Sequence, residues 1–452
     1  MKIRHVSIKK YKNLKDFDCT FSDSNISAFI GNNGSGKSNL LEAITTIFSF
    51  AKSTIEKNNP KLIVAPDVED YVIEYENAGS VYTLDGSGSD FNLYQEGKLL
   101  RSQLAKEVAL PETIMLYYAG ETTRQYYTAK RTFDDAYGSK LKRTDNASFS
   151  GFKFLDYYSA GDLNLLLLTA AVFQGEYYEK LLNLINVSSI SLETSFVLKN
   201  RDENKKSSKS ADSYWGARGF VKSFLDDARR FVTTTADLTD MYFMNFQDIS
   251  PIRDLCTNEA DMFAKLKALK NAGYLDALPV RLRGVDGEEF SYDELSEGEK
   301  QLSLLLLLTT FTAHSNCLYL FDEFDAYLHL NWQRMFAHTL NKIDVAGHII
   351  FTTHSPTTIS GMHKKNVYVM EKGKVGPAPS ETFNRSINEI MEEHMLVSMR
   401  PHKYNELVQE FRNAVIHGRK DLAEDALVKI SELVGERDPF FITARIALNR
   451  MG

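Results

Sequence analysis

The sequence predicts an α/β fold with a mixed, largely parallel sheet, an inserted helical domain and a helical C-terminal region. Apolar strand-like segments alternate with helical patterns near the N-terminus and again between residues 291 and 380, which is typical of a parallel sheet. Between these parts the periodicity is mainly helical, and amphipathic helical patterns continue from about residue 386 to 450. We therefore divide the chain into residues 1–145, 146–290, 291–380 and 381–452.

The composition restricts the class of protein. The chain has 452 residues, of which 43% are hydrophobic and 25% charged, as in a soluble globular protein with a sizeable core. Its three cysteines, Cys19, Cys256 and Cys317, are too few and too scattered for a disulfide framework or a zinc site, so we expect a cytoplasmic protein. The net charge of −7 implies that any contact with nucleic acid is local.

Nothing in the sequence predicts a membrane span. The N-terminal segment "MKIRHVSIKKYKNLKD" alternates like a strand and lacks the apolar stretch of a secretion signal. The densest leucine run, "LSLLLLLTTF", is much shorter than the roughly 20 residues that a bilayer requires, so it indicates a buried helix.

A glycine-rich stretch, "GNNGSGKSN", lies between a predicted strand, "NISAFI", and a predicted helix. Its first eight residues match the phosphate-loop pattern G-x-x-x-x-G-K-[ST]. Glycines allow backbone N–H groups to curl around phosphate oxygens, and the helix points its positive end at the same place. The residues expected to bind nucleotide are Gly31, Asn32, Asn33, Gly34, Ser35, Gly36, Lys37, Ser38 and Asn39. We expect Lys37 to reach the β- and γ-phosphates and Ser38 to bind Mg²⁺.

The rest of the first lobe is predicted to be rich in strands. Residues 70–85 alternate about an Asn-Ala-Gly turn and predict a hairpin, and residues 112–120 predict another strand. Residues 124–143 contain six basic residues interleaved with aromatic ones. This segment is either a nucleic-acid contact, with rings stacked on bases, or a solvated face with core aromatics. Further along the chain, the polar residues 199–213 predict a loop within the helical insert.

Three short motifs follow the insert. "CLYLFDE" is an apolar strand that ends in Asp322 and Glu323, which predicts a metal-binding acid beside a water-activating one. "LSEGEKQ" places Ser296 and Gly298 at a helix start, where they serve either as a plain helix cap or as a phosphate contact. "FTTHSP" places His354 just after a strand, where it is either a structural histidine or a sensor of the γ-phosphate.

Together, the phosphate loop, "LSEGEKQ", "FDE" and "FTTHSP" resemble the P-loop NTPases of the ABC ATPase type, in the RecF, SMC and Rad50 branch. The resemblance implies that ATP is held between two heads, one of which supplies Lys37 and His354 and the other Ser296 and Gly298. It also implies that residues 1–145 and 291–380 are the two lobes of the head. The family's glutamine loop has only Gln125 as a candidate, and the family pattern places His329 near the dimer seam.

A narrower resemblance covers most of the chain. "LPETIMLYYAGE", the insert and the tail "RSINEIMEEH...GRKDLAEDALVKISELVGERDPFF" are similar to the PtuA family, the ATPase subunits of Septu-type antiphage systems that also accompany some retrons. This resemblance implies a homo-oligomer whose ATP state controls an HNH nuclease partner of the PtuB type. It also implies that residues 381–452 dock the partner or mediate oligomerisation.

The sequence also allows two alternatives. "RNAVIH" contains Arg412 and His417 in the R-N-x-x-x-H pattern of HEPN ribonucleases, although a histidine before Gly418 also suits an ordinary helix end. The other alternative is a chromosomal DNA-repair ATPase of the RecF type, which needs no nuclease partner.

Overall fold

The computed structural model describes residues 1–55, 67–119, 155–200, 211–238, 240–334, 345–393, 402–435 and 438–450. The chain forms two compact units, Met1–Arg385 and Ser386–Gly452. Gln125 and the basic, aromatic segment 124–143 lie outside the described residues, as does most of the predicted loop 199–213.

The strands of the described residues are β1 (Lys2–Tyr11), β2 (Leu14–Thr20), β3 (Ile26–Ile30), β4 (Glu69–Asn77), β5 (Ser80–Ser87), β6 (Asp90–Gln95), β7 (Lys98–Leu99), β8 (Thr113–Tyr118), β9 (Leu155–Tyr158), β10 (Val187–Ile190), β11 (Thr194–Lys199), β12 (Thr234–Leu238), β13 (Met241–Phe246), β14 (Leu275–Ala277), β15 (Arg281–Gly284), β16 (Glu289–Ser291), β17 (Cys317–Asp322), β18 (His348–Thr353), β19 (Val367–Glu371) and β20 (Lys374–Pro377).

The α-helices of the described residues are α1 (Lys37–Ile55), α2 (Gln103–Ala109), α3 (Leu163–Phe173), α4 (Tyr178–Leu184), α5 (Gly219–Ala228), α6 (Glu259–Asn271), α7 (Glu297–Phe311), α8 (Pro356–Ile359), α9 (Ile387–Glu393), α10 (His402–Ile416), α11 (Lys420–Val434) and α12 (Phe440–Asn449).

A seven-stranded sheet carries the predicted motifs. Its order is β20-β19-β3-β18-β17-β8-β9, and every neighbouring pair is parallel except the antiparallel β19–β20 edge. The strands β3, β17 and β18 are buried throughout, as expected for parallel strands covered on both faces. The mixed, largely parallel sheet predicted from the sequence is confirmed. The carboxyl ends of β3, β18 and β17 lie side by side, so the loops after them meet at one edge.

A second, antiparallel sheet of six strands, in the order β2-β1-β4-β5-β6-β7, belongs to the same unit. The hairpin predicted for residues 70–85 is its β4–β5 pair. One apolar core joins side chains of this sheet, of α1 and of the parallel sheet. Phe48 of α1, for example, packs edge-on against Tyr75 of β4 with ring centroids 5.3 Å apart. Burial of α1 in this core fixes the start of the helix, at Lys37, relative to the ends of the parallel strands.

The inserted segment is not purely helical. It contains α3 to α6, as the sequence predicts, together with two small antiparallel sheets in the orders β10-β15-β16 and β12-β13-β11-β14. These strands have three to six residues, too few for their alternation to stand out against the helical pattern around them. The buried α3, with the sequence "LNLLLLTAAVF", packs against α6 and α7.

The C-terminal unit is helical, as predicted. Its helices α10, α11 and α12 enclose a small core that includes Tyr404, Phe411, Ile430 and Phe441. The rings of Phe411 and Phe440 meet edge-on with centroids 5.4 Å apart. Across both units, no helix of the described residues has the length and apolar character needed to cross a bilayer.

Candidate nucleotide-binding site

The glycine-rich loop follows β3 and leads into α1, which is the strand-turn-helix order predicted from the sequence. Three of its glycines have positive φ angles, namely +152° at Gly31, +75° at Gly34 and +110° at Gly36. A Cβ atom at Gly31 would lie 2.2 Å from the carbonyl oxygen of Met370, so no other residue fits there. The loop backbone therefore curls in a conformation that depends on glycine.

Neighbouring residues hold the loop from outside. Asn13, in the turn between β1 and β2, donates from Nδ2 to the carbonyl oxygen of Gly34 at 2.7 Å and accepts from Asn39 Nδ2 at 2.7 Å. Gly373, in the β19–β20 turn, donates its N–H to the carbonyl oxygen of Ser35 at 2.8 Å. No sequence motif connects Asn13 with this site, because the contact depends on the fold.

Lys37, the first residue of α1, directs its ammonium group back over the loop. Its Nζ donates to the carbonyl oxygen of Gly31 at 2.9 Å, lies 3.4 Å from the carbonyl oxygen of Asn32, and lies 2.9 Å from Nε2 of His354. Burial lowers the pKa of Lys37 to about 8, whereas the carboxylates of Glu323 and Asp322 oppose the shift. The lysine therefore lies where its charge is poorly solvated, and an anion beside it would be stabilised.

Asp322 lies at the end of β17 and is buried. Its Oδ1 accepts hydrogen bonds from Ser38 Oγ, at 3.1 Å, and from Thr352 Oγ1. Burial raises the pKa of Asp322, while the two hydroxyl groups and Lys37 act in the opposite direction. A hydroxyl and a carboxylate oxygen in contact at the mouth of a phosphate loop form the donor set that Mg²⁺ takes in nucleotide sites. The residues present thus fit a magnesium ion.

Glu323 has a positive φ of 50°, which turns its side chain away from the strand direction. Its N–H donates to Thr352 Oγ1 at 2.9 Å, and its Oε1 lies 3.7 Å from His354 Nε2. Both side chains are about one-third exposed, at 35% for Glu323 and 34% for His354, so they face the cleft and not the core. Burial and the charge of Lys37 lower the pKa of His354, against the influence of Glu323.

Glu323 and His354 line one open cleft of about 330 Å³ together with the glycine-rich loop. The lining residues are Asn13, Asn33, Gly34, Ser35, Gly36, Lys37, Ser38, Asn39, Glu323 and His354. The other two predicted loop residues, Gly31 and Asn32, do not line the cleft, but their carbonyl oxygens accept hydrogen bonds from Lys37 Nζ. Among the described residues, the buried Ser35 Oγ has no hydrogen-bond partner, and an unsatisfied polar atom in such a loop fits a site that takes a polar ligand.

Ser296 and Gly298 do not line this cleft. Ser296 caps α7 in a reciprocal arrangement with Glu299, whose N–H donates to Ser296 Oγ at 3.4 Å. Gly298 is buried, and a Cβ there would lie 2.6 Å from the ring of Trp332. Within one chain, "LSEGEKQ" is therefore a capped helix start packed on residues that follow the acidic pair.

Several residues around the acids have contacts that the motifs did not predict. Gln301 of α7 donates from Nε2 to the carbonyl oxygen of Phe324, directly after Glu323. Asp325 is buried and accepts from the hydroxyl groups of Thr353 and Thr358. For Asp325, the only sequence signals were its place close behind the acidic pair and Thr353 in "FTTHSP", because Thr358 lies beyond that motif.

The remaining candidates lie elsewhere. His329 is exposed, with Nδ1 3.4 Å from the N–H of Asn331. In the C-terminal unit, Arg412 is exposed, and His417 follows the end of α10 with Nδ1 2.8 Å from the carbonyl oxygen of Asn413. This contact is one that a histidine makes at an ordinary helix end.

The phosphate loop follows β3, the acidic pair lies at the end of β17, and β18, which is followed by His354, lies between these two strands. This is the arrangement of a P-loop ATPase head. That is the class of protein that this fold and this site define. Within this class, the chain belongs to the RecF/RecN/SMC N-terminal domain family, whose model matches residues 2–375.

Similarity to individual proteins is more distant. A retron Ec83 probable ATPase of Escherichia coli is 25% identical over 249 residues, which cover 51% of this chain and 44% of that relative. A retron Vc95 probable ATPase of Vibrio cholerae serotype O1 biovar El Tor is 21% identical over 482 residues, which cover 95% of this chain and 86% of that relative. The chain thus spans less than half of the first relative and most of the second.

The chain is also similar to a repair protein and to two solved structures. The DNA replication and repair protein RecF of Leptospira biflexa is 34% identical over 86 residues, 19% of this chain and 23% of that protein. An SMC head domain from Thermotoga maritima is 14% identical with a TM-score of 0.36, covering 84% of this chain and all of that one. An SMC head bound to the C-winged helix domain of ScpA is 12% identical with a TM-score of 0.40, covering 83% of this chain and 97% of that one. Both TM-scores are low, and the fold assignment rests on the family match and the strand order.

Proposed function

We propose that this chain binds and hydrolyses ATP as the ATPase subunit of a bacterial antiphage complex, and that its ATP state controls an HNH nuclease partner, as in Septu systems with a PtuA-like subunit. ATP binding and hydrolysis are supported mainly by one observation, which is that four functional side chains line the same cleft: Lys37, Ser38, Glu323 and His354. Asp322 accepts a hydrogen bond from Ser38 beside this cleft. The defence part is supported by the two retron ATPases among the relatives, one of which matches nearly the whole chain.

Each residue has a role that its surroundings support. The ammonium group of Lys37 neutralises the β- and γ-phosphates, and the loop N–H groups bind their oxygens. Ser38 and Asp322 hold Mg²⁺, which when bound neutralises charge that develops on the phosphates. Glu323 orients and polarises the attacking water, and His354 stabilises charge on the γ-phosphate.

The pocket is completed by a second copy of the chain. Ser296 and Gly298 do not line the cleft of their own chain, although they lie at the N-terminus of α7, where the positive end of the helix suits an anion. We place them against the γ-phosphate bound to the partner, so that ATP joins two heads. Nuclease activity then resides in a separate subunit, which the C-terminal unit docks, and the nucleic acid is the substrate of that complex.

A RecF-like role in DNA repair is the second candidate, favoured by the short match to RecF of Leptospira biflexa. The two functions differ in the partner they require. Coexpression with the product of the neighbouring gene, followed by mass measurement of the purified complex with and without ATP, distinguishes them. A stable complex with an HNH protein supports defence, and a chain that associates with DNA in the absence of a nuclease supports repair.

A mixing experiment tests the shared pocket. Lys37→Ala disables the phosphate loop, and Ser296→Arg blocks the contact with the partner's nucleotide, so neither variant should hydrolyse ATP alone. A heterodimer of the two contains one intact composite site, because the Ser296→Arg chain supplies the loop and the Lys37→Ala chain supplies the serine. Recovery of hydrolysis on mixing is the expected result. Hydrolysis by Ser296→Arg alone would show that a single chain holds the complete site.

A further inference from the structure

A buried polar cluster lies directly behind the cleft, between the segment after Glu323 and the segment around His354. At its centre is Asp325, only 4% exposed, whose carboxylate accepts from Thr353 Oγ1 and Thr358 Oγ1. None of these three side chains lines the cleft. Burying a carboxylate costs free energy unless hydrogen bonds satisfy its oxygens, and the two threonine hydroxyl groups do so here.

A second connection joins the same two segments. The side chain of Gln333, 8% exposed, donates from Nε2 to the carbonyl oxygen of Asp325 at 3.1 Å and accepts at Oε1 from Ser355 Oγ at 2.6 Å. The residues before and after His354 are therefore both bonded to Asp325, one to its side chain and the other through Gln333. Thr353 Oγ1 also accepts from the N–H of Ser355 at 2.8 Å, which closes the turn around the histidine.

We propose that Asp325 is a positioning residue for ATP hydrolysis, which fixes the distance between the water-activating Glu323 and His354 by bonding the segments that carry them. This inference rests on the proposed ATPase function and adds a residue to it. The Glu323 Oε1 to His354 Nε2 distance of 3.7 Å joins two one-third exposed side chains, and that contact alone does not hold their backbones together. The buried cluster supplies the rigidity, because its hydrogen bonds exchange little with water.

The consequence for the reaction is specific. Phosphate binding depends on the glycine-rich loop and Lys37, which do not touch Asp325, whereas the chemical step depends on the placement of Glu323 and His354. A displacement of about 1 Å between reacting groups costs roughly 100-fold in rate. Loosening the cluster should therefore lower kcat with little change in nucleotide affinity.

Thr353 offers a matched pair of variants. Thr353→Val keeps the shape but removes the hydroxyl that Asp325 and the N–H of Ser355 use, and Thr353→Ser keeps the hydroxyl. We expect Thr353→Val to lower kcat by about tenfold or more, with the ATP Kd within about twofold of wild type. Thr353→Ser should keep kcat within about twofold of the wild-type value. Asp325→Ala, which removes the carboxylate oxygen to which both threonine hydroxyl groups donate, should follow Thr353→Val.

The full-length protein is assayed for ATP hydrolysis, ATP binding and thermal unfolding with and without ATP, beside Glu323→Gln. If Thr353→Val turns over ATP like wild type while Glu323→Gln does not, the positioning role is overturned and the ATPase assignment remains. If Thr353→Val loses ATP affinity and thermal stability together with activity, the cluster is merely structural and the proposal also fails. Wild-type turnover by Glu323→Gln would overturn both assignments.

Discussion

Lys37 Nζ lies 2.9 Å from His354 Nε2, so the lysine of the phosphate loop and the histidine after β18 share one hydrogen bond. An ammonium group only donates, and Nε2 is therefore the acceptor in a neutral imidazole that carries its proton on Nδ1. The lowered pKa of His354, which burial and Lys37 cause, agrees with this form. The positive charge of this pair thus lies on Lys37.

Nucleotide binding should be coupled to protonation of Lys37. Its pKa is about 8 because of burial, and phosphate oxygens raise it by favouring the charged form. Above about pH 8 the free protein is partly deprotonated at Lys37, so ATP binding takes up a proton and affinity falls as the pH rises. Calorimetry at about pH 9 in buffers of different ionisation enthalpy measures this uptake. Lys37→Arg should bind without it, and equal uptake by both proteins would contradict the assignment.

Glu323→Gln should bind ATP like wild type but hydrolyse it about 100-fold more slowly or worse, because the amide is a poor base for the attacking water. The ATP-bound variant should accumulate as a dimer that persists in size-exclusion chromatography. Glu112→Gln is the matched control, since Glu112 is exposed and lies at the opposite end of the parallel sheet, just before β8. Monomeric behaviour of Glu323→Gln with ATP would contradict the closed dimer.

Gly298→Ala should destabilise the chain even without a partner. Its Cβ would lie 2.6 Å from the ring of Trp332 and 3.1 Å from the carbonyl oxygen of Tyr327, and such overpacking costs about 1–3 kcal/mol. Denaturant unfolding measures the loss, and Gly376→Ala is the control because a Cβ there meets nothing within 4 Å. Trp332→Leu should recover part of the loss in the double variant; strictly additive effects would argue against the clash.

His348 should make stability depend on acid pH. Its imidazole is buried in β18 between the N–H of Ile3, 3.2 Å from Nδ1, and Ser27 Oγ, 3.0 Å from Nε2. Burial lowers its pKa from the ordinary 6.5 to about 3. Below about pH 6.5 the unfolded chain therefore binds a proton at His348, whereas the folded chain does not. The contribution of the neutral His348 to the free energy of unfolding is complete above that pH and is lost as the pH falls towards 3.

The measurement is the free energy of unfolding of wild type minus that of His348→Asn, followed from about pH 7 to 4. The difference should shrink on acidification by up to about 1.4 kcal/mol per pH unit. His314→Asn removes an exposed imidazole and serves as the control. A difference that stays constant with pH would show that His348 is not held neutral.

The parts of the site that could be predicted are those carried by contiguous residues. The loop containing Gly31 and Lys37 and the acids at the end of β17 are recognisable because a few neighbouring residues define their chemistry. The roles of Asn13, Thr352 and Gln333 come from contacts between segments that are remote in sequence, and no local pattern marks them. Likewise, the parallel sheet was predictable from strands that are buried at every position, such as β3, β17 and β18. The strands of the insert mix exposed and buried positions and depend on partners that the sequence does not reveal.

The division of the parallel sheet by the insert has a consequence for biosynthesis. Ser38 and Asp322, which share a hydrogen bond, are 284 positions apart in the chain. At about 5–20 residues per second, a ribosome needs roughly 15–60 s to make the residues between them. During that interval the nascent β3 has neither of its neighbours, β18 and β19, and the backbone N–H and C=O groups of both its edges are unpaired. Production in cells should therefore respond to chaperone supply more than that of a protein whose strands pair in order of synthesis.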